Sequence, residues 1–475
     1  MFNRFRKQLA GHSGVLASAA LLSCTGTAAR SGSDGVDAAQ RDASHLNAAD
    51  DASVIDGGID SSVALSDAAP ATGTFCALAG SLVWTAQGTH LVAGVPGSSQ
   101  APDLSWLHLP PGFCAHYFGT VKTARQLKFA PGGDLFVASP TTPTTGGANN
   151  GIAGIVVLPD DNHDGVADTN LTFLASLPST QGLMFTAGYL YFQDGPTIRR
   201  LRFQSGDRRP SGPVEVATTI TAQQDGLHWP KVFDAARDGT VFVSNGSSQG
   251  EQCNSSRAPF GAIFKLGANG TTTEVMKGFR NPIAMRCESD HDVCLVVELA
   301  LDYSWSSGGR EKIVPIEPNA DWGFPCCATR DIPYSGATYS DTGRTPDCSA
   351  IAMESNSFII GHTPFGLDFE PGRWPAPWTR RVFVTLHGDN GQWSGARVVA
   401  IPLDATTGLP LPATELVDAS PAAGNMTEFA SGWDDGMRDH GRPAPIAFAP
   451  DGRLFLGDDQ LGAIIWVAPV DLPSP

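Results

Sequence analysis

From about residue 110 to the C-terminus, one arrangement of apolar and polar positions keeps returning. An apolar segment leads into a Gly- or Asp-Gly-containing turn, and a short run of alternating apolar residues follows. It is clearest in Leu127 to Val137, built around Ala130-Pro131-Gly132-Gly133-Asp134, and in Ile446 to Leu456, built around Ala449-Pro450-Asp451-Gly452. The other copies are Leu183 to Tyr191, Val232 to Val243, Ile283 to Val297 and Phe365 to Val384. A period of two puts alternate side chains on opposite faces of a strand, and the turn residues supply hairpin chemistry. A third strand-like run follows each copy: Gly154 to Leu158, Thr197 to Phe203, Ala262 to Leu266, Lys312 to Ile316, Arg397 to Pro402 and Ala463 to Val467. No amphipathic helix of ordinary length interrupts them. Six units of roughly 50 to 80 residues, each too small to bury its own faces, predict radial repetition. The expected fold is all-β: a six-bladed β-propeller of four-stranded antiparallel blades, with a β-sandwich as the alternative. The propeller spans residues 76–475 as one domain, although a length of 475 residues alone would suggest about three.

Composition narrows the setting. With 48 acidic against 31 basic residues the formal charge is -17, so no cationic excess exists to neutralise a phosphate backbone, and nucleic acid is not expected as a partner. Charged residues are only 17%, while Gly reaches 53 and Pro 35, a balance suited to a turn-rich β protein outside the cytosol.

The N-terminus agrees. Arg4, Arg6 and Lys7 precede an apolar stretch from Val15 to Leu22, too short to span a bilayer, and then Ser23-Cys24. This is the layout of a secretory signal over residues 1–23. Leu21-Leu22-Ser23-Cys24 resembles the lipobox of bacterial lipoproteins, which implies acylation of Cys24 and a lipid anchor as the only membrane contact. Ordinary cleavage a few residues later is the alternative. Residues 24–75 read as a disordered tether, because between residues 25 and 75 there are eight Asp, no Glu and no Lys, and too little apolar area to offset ordering. The expected location is the outer membrane, facing the periplasm or the cell surface. Eight cysteines remain beyond Cys24, an even number that favours disulfides in an exported protein. Cys287 and Cys294 bracket what reads as a hairpin tip and are expected to pair.

Departures from the repeat carry the candidate chemistry. Gly278-Phe279-Arg280-Asn281-Pro282 resembles the G-x-RNP motif of the glucose/sorbosone dehydrogenase family, which includes the soluble quinoprotein glucose dehydrogenases. Asp225-Gly226-Leu227-His228-Trp229, Val241 to Ser248, Asp321-Trp322-Gly323-Phe324-Pro325, Gly361 to Leu367 and Leu386-His387-Gly388 are similar to further segments of that family, in order. The resemblance implies an oxidoreductase using pyrroloquinoline quinone and Ca2+ to oxidise a sugar and pass electrons to an external acceptor.

It also implies roles. Imidazole titrates near neutral pH, which suits a base taking a hydroxyl proton, and His228 matches the family histidine; a structural His at a strand end is the alternative. Arg280 matches the arginine that contacts the quinone, with Asn281 beside it. Lys231, His387 and Arg397 are candidates for further cofactor contacts. Main-chain carbonyls of Ala300 and Leu301, in Glu298-Leu299-Ala300-Leu301-Asp302, stand where relatives hold calcium, although the relatives' glycine is absent.

A separate loop, Asp160 to Asp168, carries an oxygen-bearing side chain at alternate positions and then Gly165. Asp160, Asn162, Asp164 and Asp168, with the carbonyl of Val166, form a candidate calcium set, a solvated acidic turn being the alternative. The expected function is therefore a sugar dehydrogenase of the aldose or sorbosone type. The alternative is a catalytically inactive propeller that binds glycans or a protein at the surface.

Overall fold

A computed structural model describes residues 72–93, 103–143, 150–220, 228–247, 252–255, 261–288, 290–300, 309–389, 393–415, 425–434 and 440–475. The signal sequence, Cys24, nearly all of the tether, Asp225-Gly226-Leu227 and Leu301 lie outside the described residues. The described chain forms six four-stranded antiparallel blades. Blade 1 is Gln126–Phe129, Leu135–Ser139, Gly154–Leu158 and Leu171–Leu174, and blade 2 is Leu183–Thr186, Tyr189–Asp194, Thr197–Arg202 and Glu215–Thr219. Blade 3 is Phe233–Ala235, Val241–Asn245, Ala262–Leu266 and Thr272–Lys277. Blade 4 is Asn281–Glu288, Val293–Leu299, Glu311–Pro315 and Asn356–Phe358, and blade 5 is Pro364–Phe369, Arg381–Leu386, Arg397–Pro402 and Thr427–Ala430.

Blade 6 closes the ring. Its first three strands, Pro443–Phe448, Leu454–Asp458 and Ala463–Pro469, come from the C-terminus, and its fourth, Phe113–Thr120, comes from the other end of the chain. The sheet is prolonged there by the hairpin Leu82–Thr85 and Gly88–Leu91. The first strand of every blade touches the first strand of the next, all the way round. Such closure removes the exposed edge that a linear stack would leave.

Three of these inner strands begin at a bulge beside a proline: Pro282, Pro364 and Pro443. A bulge leaves a ladder N–H unused, so proline costs nothing there. Aromatic side chains fill the spaces between blades. Trp374, Phe383, Phe429, Phe448 and Phe113 pack edge-on between blades 5 and 6. Every one of the eight cysteines is paired, as Cys76–Cys114, Cys253–Cys326, Cys287–Cys294 and Cys327–Cys348. Cys287 and Cys294 face each other in register across the blade 4 hairpin, as expected from the sequence.

Candidate functional site

In each blade the first strand begins and the second strand ends at the same end of the ring, as the pairs Asn281↔Leu299 and Pro443↔Asp458 show. This end is the mouth. The Ala-Pro-Asp-Gly turns lie at the other end.

At the mouth, blades 3 and 4 bring the two leading sequence candidates together. His228 precedes the first strand of blade 3 and is buried. Its Nδ1 lies 3.0 Å from the carbonyl oxygen of Ser247. A carbonyl can only accept, so Nδ1 carries a proton, and in the neutral tautomer Nε2 holds the lone pair. The N–H of Ser247 in turn donates to the carbonyl of Arg280 at 2.8 Å. One residue at the end of the blade 3 hairpin therefore links the imidazole to the Arg-Asn-Pro turn. Glycine is required beside it, since a Cβ on Gly246 would stand 2.5 Å from the His228 carbonyl oxygen and 2.8 Å from its Cβ.

Lys231 joins this group. Its Nζ donates to Asn245 Oδ1 at 2.9 Å, and burial pulls its pKa down to about 7. At strand ends of the same rim, several buried polar atoms meet no hydrogen-bond partner among the described residues: Asn245 Nδ2, Ser247 Oγ, Asn281 Oδ1, Gln181 Oε1 and Thr180 Oγ1. Buried polar groups are rarely left so. Asn245 and Ser247 lie in the Val241 to Ser248 segment that carries the resemblance, whereas Thr180 and Gln181 carry no motif signal. Only their shared position, at strand ends facing the mouth, reveals them.

Arg280 also reaches across its own blade. Its Nη1 donates to the carbonyl of Ala300 at 3.0 Å, and its backbone N–H donates to Glu298 Oε1 at 2.7 Å. Glu298 is paired as well with Lys312 at 3.4 Å. The Ala300 oxygen, expected from the resemblance to face calcium, thus faces a guanidinium, and a second cation beside it would be repelled. Among the described residues no three His, Cys, Asp or Glu side chains gather as a metal set.

The remaining candidates are spread around the ring. His387 ends the second strand of blade 5 and is fully buried, with Nε2 3.0 Å from Asp459 Oδ1. Burial and the nearby Arg442 lower its pKa to about 4, so it is neutral at ordinary pH. Arg397 is paired with Glu415, which also holds His362 Nδ1 at 2.9 Å. Both belong to polar clusters of blades 5 and 6 rather than to the His228–Arg280 group.

The Asp160 loop follows the third strand of blade 1 and lies at the end opposite the mouth. Three of its oxygens serve the loop's own backbone: Asp164 Oδ1 accepts from Val166 N, Asn162 Oδ1 from Asp164 N, and Asp168 Oδ2 from Asp161 N, while Asp160 Oδ1 is buried without a partner among the described residues. Arg453 lies 4.0 Å from Asp160. Short carboxylates two residues from an amide bond to it readily, so the same spacing that suggests cation ligands also caps the turn.

One pocket of the mouth face has no counterpart in the sequence reading. A cavity of about 270 Å3 over blade 6 is walled by Trp106, Trp433, His440, Leu456 and Ile465, with the carboxyls of Asp103 and Asp458 at its edge. Trp106 and His440 stack with rings 4.4 Å apart and 9° from parallel.

Residues 100–293 match a family model described as a domain of unknown function, DUF7133. Comparison with curated proteins finds no match. Among solved structures, the chain is similar to a Trichoderma reesei carbohydrate-active enzyme of family AA12, at 16% identity and TM-score 0.62, covering 79% of this chain and 100% of that one. It is also similar to the soluble aldose sugar dehydrogenase of Escherichia coli, at 12% identity and TM-score 0.53, covering 75% and 99%. A putative glucose dehydrogenase of Thermus thermophilus matches at 15% identity and TM-score 0.51, covering 75% and 100%. At these identities the likeness establishes the propeller fold.

Proposed function

We propose that this protein is a sugar dehydrogenase that binds pyrroloquinoline quinone at the mouth formed by blades 2, 3 and 4. The observation that carries this reading is the meeting of His228 and Arg280 through Ser247, beside the buried ammonium of Lys231. The donor set fits the cofactor, which is flat, polar and tri-anionic. Lys231 and Arg280 answer its carboxylates, and the partnerless atoms of Asn245, Ser247 and Asn281 answer its ring oxygens and nitrogens. When bound, the quinone supplies the acceptor for a hydride.

The protein's own part is positioning and proton handling. His228, with its tautomer set by the Ser247 carbonyl, takes the hydroxyl proton of the sugar at Nε2. Arg280 is held rigid at both its backbone N–H and its guanidinium, so its charge is already in place where negative charge builds. Lys231 contributes a cation that the ligand's charge stabilises. The aromatic pocket of Trp106, Trp433 and His440 offers ring faces of the kind that pack on pyranose C–H groups, on the same face of the ring. Electrons would leave to an external acceptor, and Cys24 would hold the enzyme at the outer membrane on its tether. Calcium at the Ala300 carbonyl would have to displace the Arg280 guanidinium that holds it.

The test is reconstitution. Protein lacking residues 1–75 is mixed with the quinone, and dye reduction is measured across aldoses. Turnover with at least one aldose is expected, and His228→Ala should lower kcat by about 100- to 10,000-fold with the melting curve retained. Sugar binding without quinone binding would turn the assignment to a recognition propeller.

A further inference from the structure

Below the mouth, the axis of the ring holds a cavity of about 30 Å3, lined by Arg125, Gln181, Phe365, Lys128, Arg286 and Asp368 among others. That is room for about two water-sized particles. Arg125, at the start of blade 1, has its side chain fully removed from solvent, with Cζ over the Phe365 ring at 4.8 Å from its centre. Its Nε, Nη1 and Nη2 all lack a hydrogen-bond acceptor among the described residues. Asp459 is 3.1 Å from Nη2 but out of line with its N–H bonds, and Asp459 Oδ2 accepts no hydrogen bond either. The charge is held, but the five N–H donors are not.

The balance of neighbours points the same way. At the far end of the cavity Lys128 and Arg286 are matched by Asp234 and Asp368. At the Arg125 end, the carboxylate that faces Arg125 is Asp459, and Arg442 shares it. His387 there is neutral, and burial raises Asp458 to a pKa of about 8. Arg125 and Arg442 thus share one carboxylate, Asp459, whose pKa is held low. A buried, donor-rich cation without acceptors is strongly destabilising unless a ligand fills the space.

We propose that the axial cavity is a binding site for one small anionic group, seated on the Arg125 guanidinium, with a water between it and the Gln181 carbonyl oxygen. The group is either a free halide-sized anion or a carboxylate of a ligand in the mouth. The first source does not depend on the redox reading above.

Bromide is the probe. Quinone-free crystals grown in sodium bromide should show an anomalous peak in the cavity against Arg125. The melting temperature should rise by about 2 °C or more over an equal ionic strength of isethionate, which is too large to enter. Arg125→Met should remove both effects. Because that variant strands Asp459 and could fail to fold, the wild-type peak and melting shift stand as tests by themselves. Water alone in the cavity with no melting shift overturns the proposal, as does a peak that survives in Arg125→Met, which would be an adventitious ion only. Adding pyrroloquinoline quinone separates the sources. A bromide peak that persists assigns a free anion, and one that vanishes while bromide raises the quinone Kd assigns the carboxylate.

Discussion

Lys231 is the residue whose behaviour depends most on its surroundings. Its ammonium has left water for the mouth of the propeller, where its contact at 2.9 Å is a neutral amide oxygen. Burial lowers its pKa from 10.5 to about 7. The folded protein therefore binds fewer protons than the unfolded chain between pH 7 and 10.5, and stability from this group rises with pH across that window. Ligand binding has the opposite dependence, because an anion restores the proton. Quinone affinity should fall as pH rises through about 7, with up to one proton taken up on binding. Calorimetry in buffers of different ionisation enthalpy measures that uptake, and it should disappear in Lys231→Met. Uptake unchanged in the variant would remove Lys231 from the site. His387 has the reverse use: held neutral down to about pH 4, it pairs with Asp459 as a structural group.

At the scale of the strand and turn, the blade 3 hairpin does the positioning. Its second strand ends Asn245-Gly246-Ser247, and those three residues hold Lys231, accommodate His228 and join His228 to Arg280. Gly246 is essential to this because its Cβ position is already filled by His228. Gly246→Ala should push the histidine out of line at a cost of about 1–3 kcal/mol. The expected result is a kcat lowered at least tenfold with a melting temperature lowered by only a few degrees. Equal activity in the variant would show that the close approach is not needed. In the Asp160 loop the internal hydrogen bonds lead to a different expectation from the sequence pattern. A chelator should leave the melting curve unchanged, while Asp164→Ala should cost about 1 kcal/mol through the lost bond to Val166. A chelator-induced drop in melting temperature would restore calcium to that loop.

The whole ring depends on its N-terminal strand. Phe113–Thr120 pairs along the full length of Ala463–Pro469, and Cys114 within it is bonded to Cys76, 38 residues earlier. Removing residues 1–75 should leave the melting curve unchanged apart from any loss at Phe75. Removing residues 1–120 should expose the edge of Ala463–Pro469 and yield larger aggregates than the intact chain forms, as sedimentation would show. Replacing Cys76 and Cys114 by Ser should cost about 3–4 kcal/mol, the expected range for a loop of this length, read as a lower melting temperature.

The hairpins were legible in the sequence because strand alternation and turn chemistry are local. Leu127 to Val137 and Ile446 to Leu456 specify their own bends, and several runs such as Gly154–Leu158 and Arg397–Pro402 are strands to the residue. Six such units that cannot bury themselves leave a closed ring as their solution, so the architecture could be read before any coordinates. The company each side chain keeps could not. Arg125 meets Asp459 across 334 positions only because the two ends of the chain share one face. Likewise, Ser247 joins His228 to Arg280 because adjacent blades end their strands at the same rim, whereas the Asp160 loop was carried to the opposite end. Local propensity acts over a few residues, whereas burial, charge and orphaned donors depend on what the closed ring brings within 3 Å, and that only tertiary packing decides.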